Sequence, residues 1–106
     1  MLMRQPNPEQ LRTLNQVNIL SPVEGNTYSL QNDIKISLTI PSNIVLTKVD
    51  YFIDNNKITS STVSPFELAF NPEESQISKG KHEFKAVIYD QLNNSITKTI
   101  SFTLGQ

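Results

Sequence analysis

The sequence has 106 residues, with 9 Lys or Arg against 10 Asp or Glu for a formal net charge of −1, and no Cys. A charge so close to zero does not attract nucleic acid or anionic lipid, and the absence of Cys excludes disulfides and thiolate metal sites. The length suits one domain with a single core, and no apolar run reaches the roughly 18 to 20 residues that would span a bilayer. We therefore expect neither nucleic acid as a partner nor direct insertion into a membrane.

Residues 1–16 differ from the strand patterns that follow. Asn7 and Pro8 suit the cap and the first position of a helix of about two turns, and Leu11 and Leu14 give that helix a narrow apolar edge. A helix this short is marginal in water without packing. We expect a linker or N-terminal extension with no apolar face tied to a core, whose removal changes stability little.

The remainder of the chain has the pattern of β-strands. Residues 17–20 form a short apolar run that ends at Ser21-Pro22, because proline cannot donate a hydrogen bond to a sheet. Residues 27–30 suit a short edge strand. Residues 33–40 alternate between apolar and polar side chains, which indicates a strand with one face on a core. The apolar side chains of this alternation are Ile34, Ile36, Leu38 and Ile40.

A central strand over residues 46–53 has the same period of two. Its apolar side consists of Val49, Tyr51 and Ile53, and its mixed side of Lys48, Asp50 and Phe52. Asp54, Asn55 and Asn56 tolerate the left-handed backbone conformation better than most residues, so they predict a tight turn. Residues 57–60 are predicted to be the return strand.

Three further strands complete the pattern. They are predicted over residues 64–70, 81–89 and 95–104, and turns rich in polar residues or glycine separate them. Their predicted inward side chains are Phe66, Leu68, Phe70, Phe84, Ala86, Ile88, Ile96, Ile100, Phe102 and Leu104. About seven short strands, with no helix after residue 16, predict an all-β antiparallel sandwich.

Several stretches of the sequence resemble the bacterial immunoglobulin-like domains. They are VNILSPVEGNTY, KVDYFIDNNKI, SPFELAFN, GKHEFKAVIYDQLNN and ITKTISFTL, and they cover residues 17–104. Asn55 and Asn93 stand where this family usually has a turn glycine, and asparagine keeps the turn. The family occurs as repeats or tails in secreted glycoside hydrolases, adhesins and bifunctional penicillin-binding proteins. The resemblance implies an immunoglobulin-like sandwich over residues 17–106 and a non-catalytic accessory role.

The residues that could carry chemistry have structural explanations. His82 is the only His, and it lies on the inward parity at the start of a strand, where a boundary residue bonded to the backbone explains it better than a base or a ligand. Asp90 with Asn93 and Asn94 suits turn capping. Carboxylates that could supply calcium ligands are Asp33, Asp50, Asp54 and Asp90, but they lack the dense spacing of a calcium loop. We expect no catalytic residue and no cofactor, with calcium as the alternative.

Two strands of the predicted sandwich carry an apolar group on their outward parity. Phe52, Val87 and Tyr89 would form one patch if these strands are neighbours, with Asp50 and Lys85 at its rim. A neighbouring domain or another protein usually covers a patch of this kind. Polysaccharide is the other partner that it could suit, although the chain has no Trp for stacking.

These features predict a non-catalytic accessory module, a spacer or interaction domain of an exported cell-envelope or surface protein. Its partners would be neighbouring domains of the parent chain or another envelope protein. The alternative is a carbohydrate-binding accessory domain of a cell-wall- or polysaccharide-acting enzyme. Export would require a longer chain, because the opening residues MLMRQPNP lack the apolar segment of a secretion signal.

Overall fold

The computed structural model describes residues 13–105, which fold into two β-sheets packed face to face. The eight strands are β1 (Asn18–Ser21), β2 (Thr27–Ser29), β3 (Ile34–Thr39), β4 (Leu46–Ile53), β5 (Asn56–Ser61), β6 (Leu68–Phe70), β7 (Gly80–Asp90) and β8 (Ser95–Gly105). The predicted all-β sandwich is confirmed, and the short edge strand predicted over residues 27–30 is β2. Within the described range, no helix is long and apolar enough to cross a membrane.

The strand order places β7 at the centre of the larger sheet. The smaller sheet has the order β1-β3-β6, and the larger sheet has the order β2-β8-β7-β4-β5. Among the described strands every pairing is antiparallel, except that β2 runs parallel to β8. Because β7 pairs with both β4 and β8, its register decides which side chains of the larger sheet face the core and which face solvent.

The core lies between the two sheets, where the inward parity of the strands is apolar. Its buried members are Leu14, Val17, Ile34, Ile36, Leu38, Leu46, Val49, Tyr51, Ile53, Phe66, Phe70, Phe84, Ala86, Ile88, Phe102 and Leu104. Tyr51 and Phe84 stack within it, with ring centroids 5.7 Å apart and an interplanar angle of 22°. The Tyr51 hydroxyl donates to the Phe66 carbonyl at 2.8 Å, and burial raises the pKa of this phenol, so it remains a donor.

The strand predicted over residues 64–70 is shorter than expected. Only Leu68–Phe70 forms a strand, which pairs with residues 34–36 of β3. Phe66 has a φ of 65°, in the left-handed region that bulky residues rarely adopt, and its amide donates to the Val63 carbonyl at 2.8 Å. The residues before β6 therefore form a turn, and Phe66 reaches the core from that turn rather than from a strand.

The segment before β1 contributes to the core. Thr13 and Leu14 are helical, whereas the rest of the predicted helix lies outside the described residues. Leu14 is 0% exposed and belongs to the same apolar cluster as Val17. Lys98 of β8 donates from Nζ to the Asn15 carbonyl at 2.8 Å. The expectation that this segment has no tie to the core is wrong at Leu14, while the domain boundary at residue 17 stays a prediction.

Replacing either ring of the central stack should destabilise the domain strongly. We expect Tyr51→Ala and Phe84→Ala each to lower the free energy of unfolding by about 3 to 5 kcal/mol, because each leaves a cavity between the sheets. Tyr51→Phe separates packing from hydrogen bonding, since it keeps the ring and leaves the Phe66 carbonyl unpaired at a cost of about 1 to 3 kcal/mol. Chemical denaturation measures all three values. Near wild-type stability in the alanine variants would contradict the inward assignment.

Leu14 should matter more to stability than its neighbours in the same segment. Leu14→Ala should lower the free energy of unfolding by about 2 to 5 kcal/mol, because the side chain is fully buried. Gln16→Ala, at an exposed position, is the matched control and should stay within about 0.5 kcal/mol of wild type. Thermal melts followed by circular dichroism compare the two variants. Equal melting temperatures would show that Leu14 contributes nothing to the fold.

Candidate functional site on the outer face of the larger sheet

The solvent side of the larger sheet carries the residues predicted as a docking patch. Strands β4 and β7 are neighbours, and their register pairs Phe52 with Lys85, Asp50 with Val87, and Lys48 with Tyr89. We call these six side chains, together with Lys57 of β5, which pairs with Phe52, the outer face. Successive pairs are about 7 Å apart along the strands, so Phe52 and Tyr89 are about 14 Å apart in that direction, with Asp50 and Val87 between them.

An ammonium group lies over each aromatic ring of the outer face. Nζ of Lys85 is 4.9 Å from the ring centroid of Phe52, and Nζ of Lys48 is 4.6 Å from that of Tyr89. Both distances allow cation–π attraction, which contributes about 0.5 to 1 kcal/mol at exposed sites. The predicted patch is therefore a mixed aromatic and cationic surface, in which Lys85 lies over a ring rather than at a rim.

Asp50 occupies the middle of the outer face and is only 7% exposed. Its carboxylate lies 3.6 Å from Nζ of Lys48 and 3.4 Å from Nζ of Lys57. Oδ1 finds no hydrogen-bond partner among residues 13–105, because the nearby Lys57 ammonium makes an ion pair without hydrogen-bond geometry. Strand parity predicts a rim position for Asp50. Parity does not show that two long lysine side chains fold over it.

The turn between β4 and β5 holds one end of the outer face. Asp54 and Asn55 have φ values of 52° and 69°, the left-handed conformation that a two-residue hairpin loop requires. The side-chain oxygen of Asn55 accepts a hydrogen bond from Nζ of Lys85 at 3.0 Å. This bond helps to keep the ammonium over Phe52. The turn therefore positions a cation on the neighbouring strand as well as reversing the chain.

His82 faces inward from β7 and ties the same turn to the edge of the core. Nδ1 is 2.5 Å from Oδ2 of Asp54, and Nε2 is 2.7 Å from the Ser78 carbonyl. Since each ring nitrogen faces an acceptor, the doubly protonated imidazolium is the form that satisfies both contacts. Burial alone would lower the pKa of His82, but the hydrogen bonds to Asp54 and Ser78, with the charge of Asp54, raise it overall.

Asp54 is the partner that sequence reasoning missed. Burial alone would raise the pKa of Asp54, but hydrogen bonds from the Glu83 amide and from His82, with the imidazolium charge, lower it overall. The backbone contact of His82 was predicted and is the bond to Ser78. The contact between the Asp54 carboxylate and His82 joins residues that are 28 positions apart in the sequence. The only sign of it in the sequence is a carboxylate in a turn that would lie beside the start of a neighbouring strand.

The pair formed by Asp54 and His82 makes stability depend on pH. Because the fold raises the pKa of His82, protonated His82 stabilises the fold. This stabilisation is fully present when the pH is below the ordinary pKa of 6.5, and it is lost as the pH rises through the raised pKa. Because the fold lowers the pKa of Asp54, ionised Asp54 also stabilises the fold. This stabilisation is present when the pH is above the ordinary pKa of 3.8, and it is lost as the pH falls through the lowered pKa. We therefore expect the pair to contribute most between about pH 4 and pH 6.5.

Melting temperatures across this range test the pair. We expect the melting temperature of wild type to fall above about pH 6.5, and His82→Gln and Asp54→Asn should each flatten that fall. Asp33→Asn, at an exposed position outside the pair, is the control and should keep that fall. A slope in His82→Gln equal to that of wild type would assign the pH dependence to other groups.

The Asp90 cluster serves the turn between β7 and β8. Oδ1 of Asp90 accepts hydrogen bonds from the amides of Leu92 and Asn94, each at 2.9 Å, and Oδ2 accepts from Nδ2 of Asn94 at 3.0 Å. Asn93 takes the left-handed conformation, with a φ of 65°. The carboxylate therefore caps the turn, as its pattern with Asn93 and Asn94 predicts. In the part of the chain that the structure describes, no three His, Cys, Asp or Glu residues group to hold a metal ion. The expectation of no cofactor, with calcium as the alternative, stays a prediction.

A profile of the family described as bacterial Ig domain matches residues 16–86. The matched span contains the Tyr51 and Phe84 stack and the outer-face residues of β4 and β5, and it stops before Val87 and Tyr89. A comparison with curated proteins gave no match.

Solved structures of similar fold include isolated modules and parts of larger chains. The fibronectin(III)-like modules of CbhA from Clostridium thermocellum give a TM-score of 0.69 at 26% identity, over 84% of this chain and 94% of that chain. The endo-β-1,4-mannanase from Thermotoga petrophila gives 0.60 at 11% identity, over 85% of this chain and 19% of the mannanase. CopC from Methylosinus trichosporium OB3b gives 0.52 at 12% identity, over 84% of this chain and 93% of that chain. The last two similarities concern the fold alone.

Proposed function

Because the chain belongs to the bacterial Ig domain family, we propose that it is a non-catalytic accessory module, a spacer or interaction domain of a larger exported protein at the cell envelope or surface. The observation that carries this proposal is the similarity to the CbhA modules, which extends over nearly the full length of the module at 26% identity. The mannanase adds that a sandwich of this fold occurs as 19% of an enzyme chain. A sandwich of this fold can therefore accompany other domains in one chain, which supports an accessory role.

The occupied side chains favour an accessory role over catalysis. A general base needs a ring nitrogen or carboxylate that is available to a substrate or nucleophile. Both nitrogens of His82, the only His of the sequence, are bonded to Asp54 and Ser78. Asp90 is likewise engaged in hydrogen bonds within its turn. These groups hold turns and strands together, which supports a structural rather than a chemical use.

An interaction role would use the outer face. Its two aromatic rings are half-buried on the solvent side of the sheet, and aromatic side chains contribute more to protein interfaces than most other residues. Contacts between domains of one chain are modest in area and rather polar, which suits a surface that mixes rings with lysines. A neighbouring domain or another envelope protein is therefore a fitting partner for this face.

Carbohydrate binding is the second candidate, and the two rings on one sheet face favour it. A sugar stacks on the face of an aromatic ring, and Phe52 and Tyr89 are both on the solvent side of the larger sheet. However, Lys85 and Lys48 lie over these rings. A neutral sugar would have to displace an ammonium group from each ring in order to stack on it.

Retention on insoluble neutral polysaccharides separates the two candidates. A spacer or protein-binding module should show no more than background retention on cellulose and chitin, measured as the fraction of chain that sediments with the polymer. Retention that disappears in Phe52→Ala would favour carbohydrate binding. Val63→Ala is the matched control, because it shortens a side chain that is 73% exposed and follows the end of β5, outside the seven residues of the outer face.

Incubation with the same polymers tests the absence of catalysis. We expect no release of soluble sugar above that of a buffer control, because the only His is held in two structural hydrogen bonds. Release by wild type that is lost in a folded His82→Gln variant would contradict the accessory role. Circular dichroism of the variant shows whether it is folded.

A further inference from the structure

We propose that the outer face binds a carboxylate-bearing polysaccharide along β4 and β7. This inference rests on the proposed interaction role of the outer face, and it develops the second candidate, carbohydrate binding, with an anionic instead of a neutral polymer as the partner. It is based on groups that lie together on the outer face. They are three lysine ammonium groups, two aromatic rings and a buried carboxylate with one oxygen that accepts no hydrogen bond.

The outer face is positively charged although the chain as a whole is not. Lys48, Lys57 and Lys85 outnumber Asp50, and they still outnumber the carboxylates when Glu83, the next outward residue of β7, is included. The whole chain has a formal net charge of −1. The side chains of Lys48 and Lys57 are 43% and 51% exposed, so their ammonium groups remain accessible to a ligand. An anionic partner therefore complements this face better than a neutral one.

The cations are spread along the strands rather than gathered at one point. The pair formed by Lys85 and Phe52 is separated from the pair formed by Lys48 and Tyr89 by about 14 Å of strand. A small anion would contact one end of the face only. An extended polymer with repeated negative charges would contact both ends at once, and the second contact then forms at high effective concentration. The spacing therefore favours a polymer.

Oδ1 of Asp50 favours an anion that also carries a hydrogen-bond donor. It is a buried acceptor without a hydrogen bond, and the flexible Lys57 side chain lies over it. If Lys57 turns toward a ligand carboxylate, the acceptor becomes available to a hydroxyl donor. An acidic sugar carries a carboxylate and hydroxyl groups within one unit. The carboxylates of an acidic peptide and the phosphates of a lipid surface are acceptors only, so in those partners a separate group, such as a backbone amide, would have to supply the donor.

The test compares binding to two polymers that share a backbone and differ in charge. These are polygalacturonate and its methyl-esterified form, each immobilised for biolayer interferometry at low and high salt. We expect wild type to bind polygalacturonate at least about tenfold more tightly than the ester at low salt. We expect most of that preference to be lost at high salt, because exposed charges are screened.

Matched variants locate the binding on the outer face. Lys48→Gln with Lys57→Gln should weaken polygalacturonate binding by about tenfold or more, whereas Lys35→Gln with Lys79→Gln removes the same charge elsewhere and should change it by less than about twofold. Asp50→Leu separates attraction between net charges from hydrogen bonding to the Asp50 carboxylate. It makes the face more positive, so simple attraction predicts tighter binding, and loss of the acceptor predicts weaker binding. Melting curves show which variants are folded.

Several outcomes would overturn this inference and leave the proposed function intact. For wild type, they are absence of binding to polygalacturonate and equal affinity for polygalacturonate and its ester. For the variants, they are an equal loss of affinity in the two lysine double variants and tighter binding by Asp50→Leu. Binding of wild type to poly-L-glutamate as tight as to polygalacturonate would assign the face to an acidic protein instead. Polygalacturonate binding that is unchanged in Lys48→Gln with Lys57→Gln and in Phe52→Ser with Tyr89→Ser would place the binding away from the outer face and would also overturn this inference. The proposed accessory role fails on a different result, the release of soluble sugar that is lost in folded His82→Gln.

Discussion

The stack of Tyr51 on Phe84 is the contact on which the rest of the sandwich depends. It joins neighbouring strands β4 and β7, and the Tyr51 hydroxyl bonds to the Phe66 carbonyl, so one side chain links the larger sheet to the turn that leads into β6 of the smaller sheet. Side chains alternate along a strand, so burying these two rings commits Phe52 and Lys85 to the solvent side. A slip of one residue would exchange the two faces and place lysines in the core. The outer face is thus a direct consequence of the core.

The composition of the outer face is a compromise between stability and solubility. An exposed face made only of Phe52, Val87 and Tyr89 would suit a partner but would promote aggregation of the free domain. Lysines over the rings reduce the exposed apolar area and add charge. Burying Asp50 beneath Lys48 and Lys57 costs desolvation that two ion pairs offset only in part, since Oδ1 keeps no hydrogen bond among the described residues. An arrangement of this kind contributes specificity more readily than stability.

Strands with a sustained alternation of apolar and polar residues can be predicted from the sequence, whereas contacts made by single residues cannot. Alternation over residues 33–40, 46–53 and 81–89 is sustained, so β3, β4 and β7 and their inward faces could be predicted. Leu14 is a single apolar residue in a polar segment and has no period to reveal its burial. Phe66 fits a strand by parity, but its left-handed φ follows from the turn before β6. For the candidate site, parity places five residues on one face, whereas the positions of the lysine ammonium groups depend on side-chain rotamers that no pattern encodes.

The turn between β4 and β5 connects the two faces of the larger sheet at one point. Asp54 and Asn55 are consecutive residues, yet the first bonds to His82 on the inner side of β7 and the second to Lys85 on its outer side. A hairpin loop held only by its own backbone would be free to twist about the strand axis. Here one side chain holds it on each side of the neighbouring strand, so the loop, the imidazolium and the ammonium over Phe52 share one geometry. Loss of one proton from His82 would remove one of its two hydrogen bonds, but the bonds between Asp54 and the Glu83 backbone would still tie the inner side of the loop to β7.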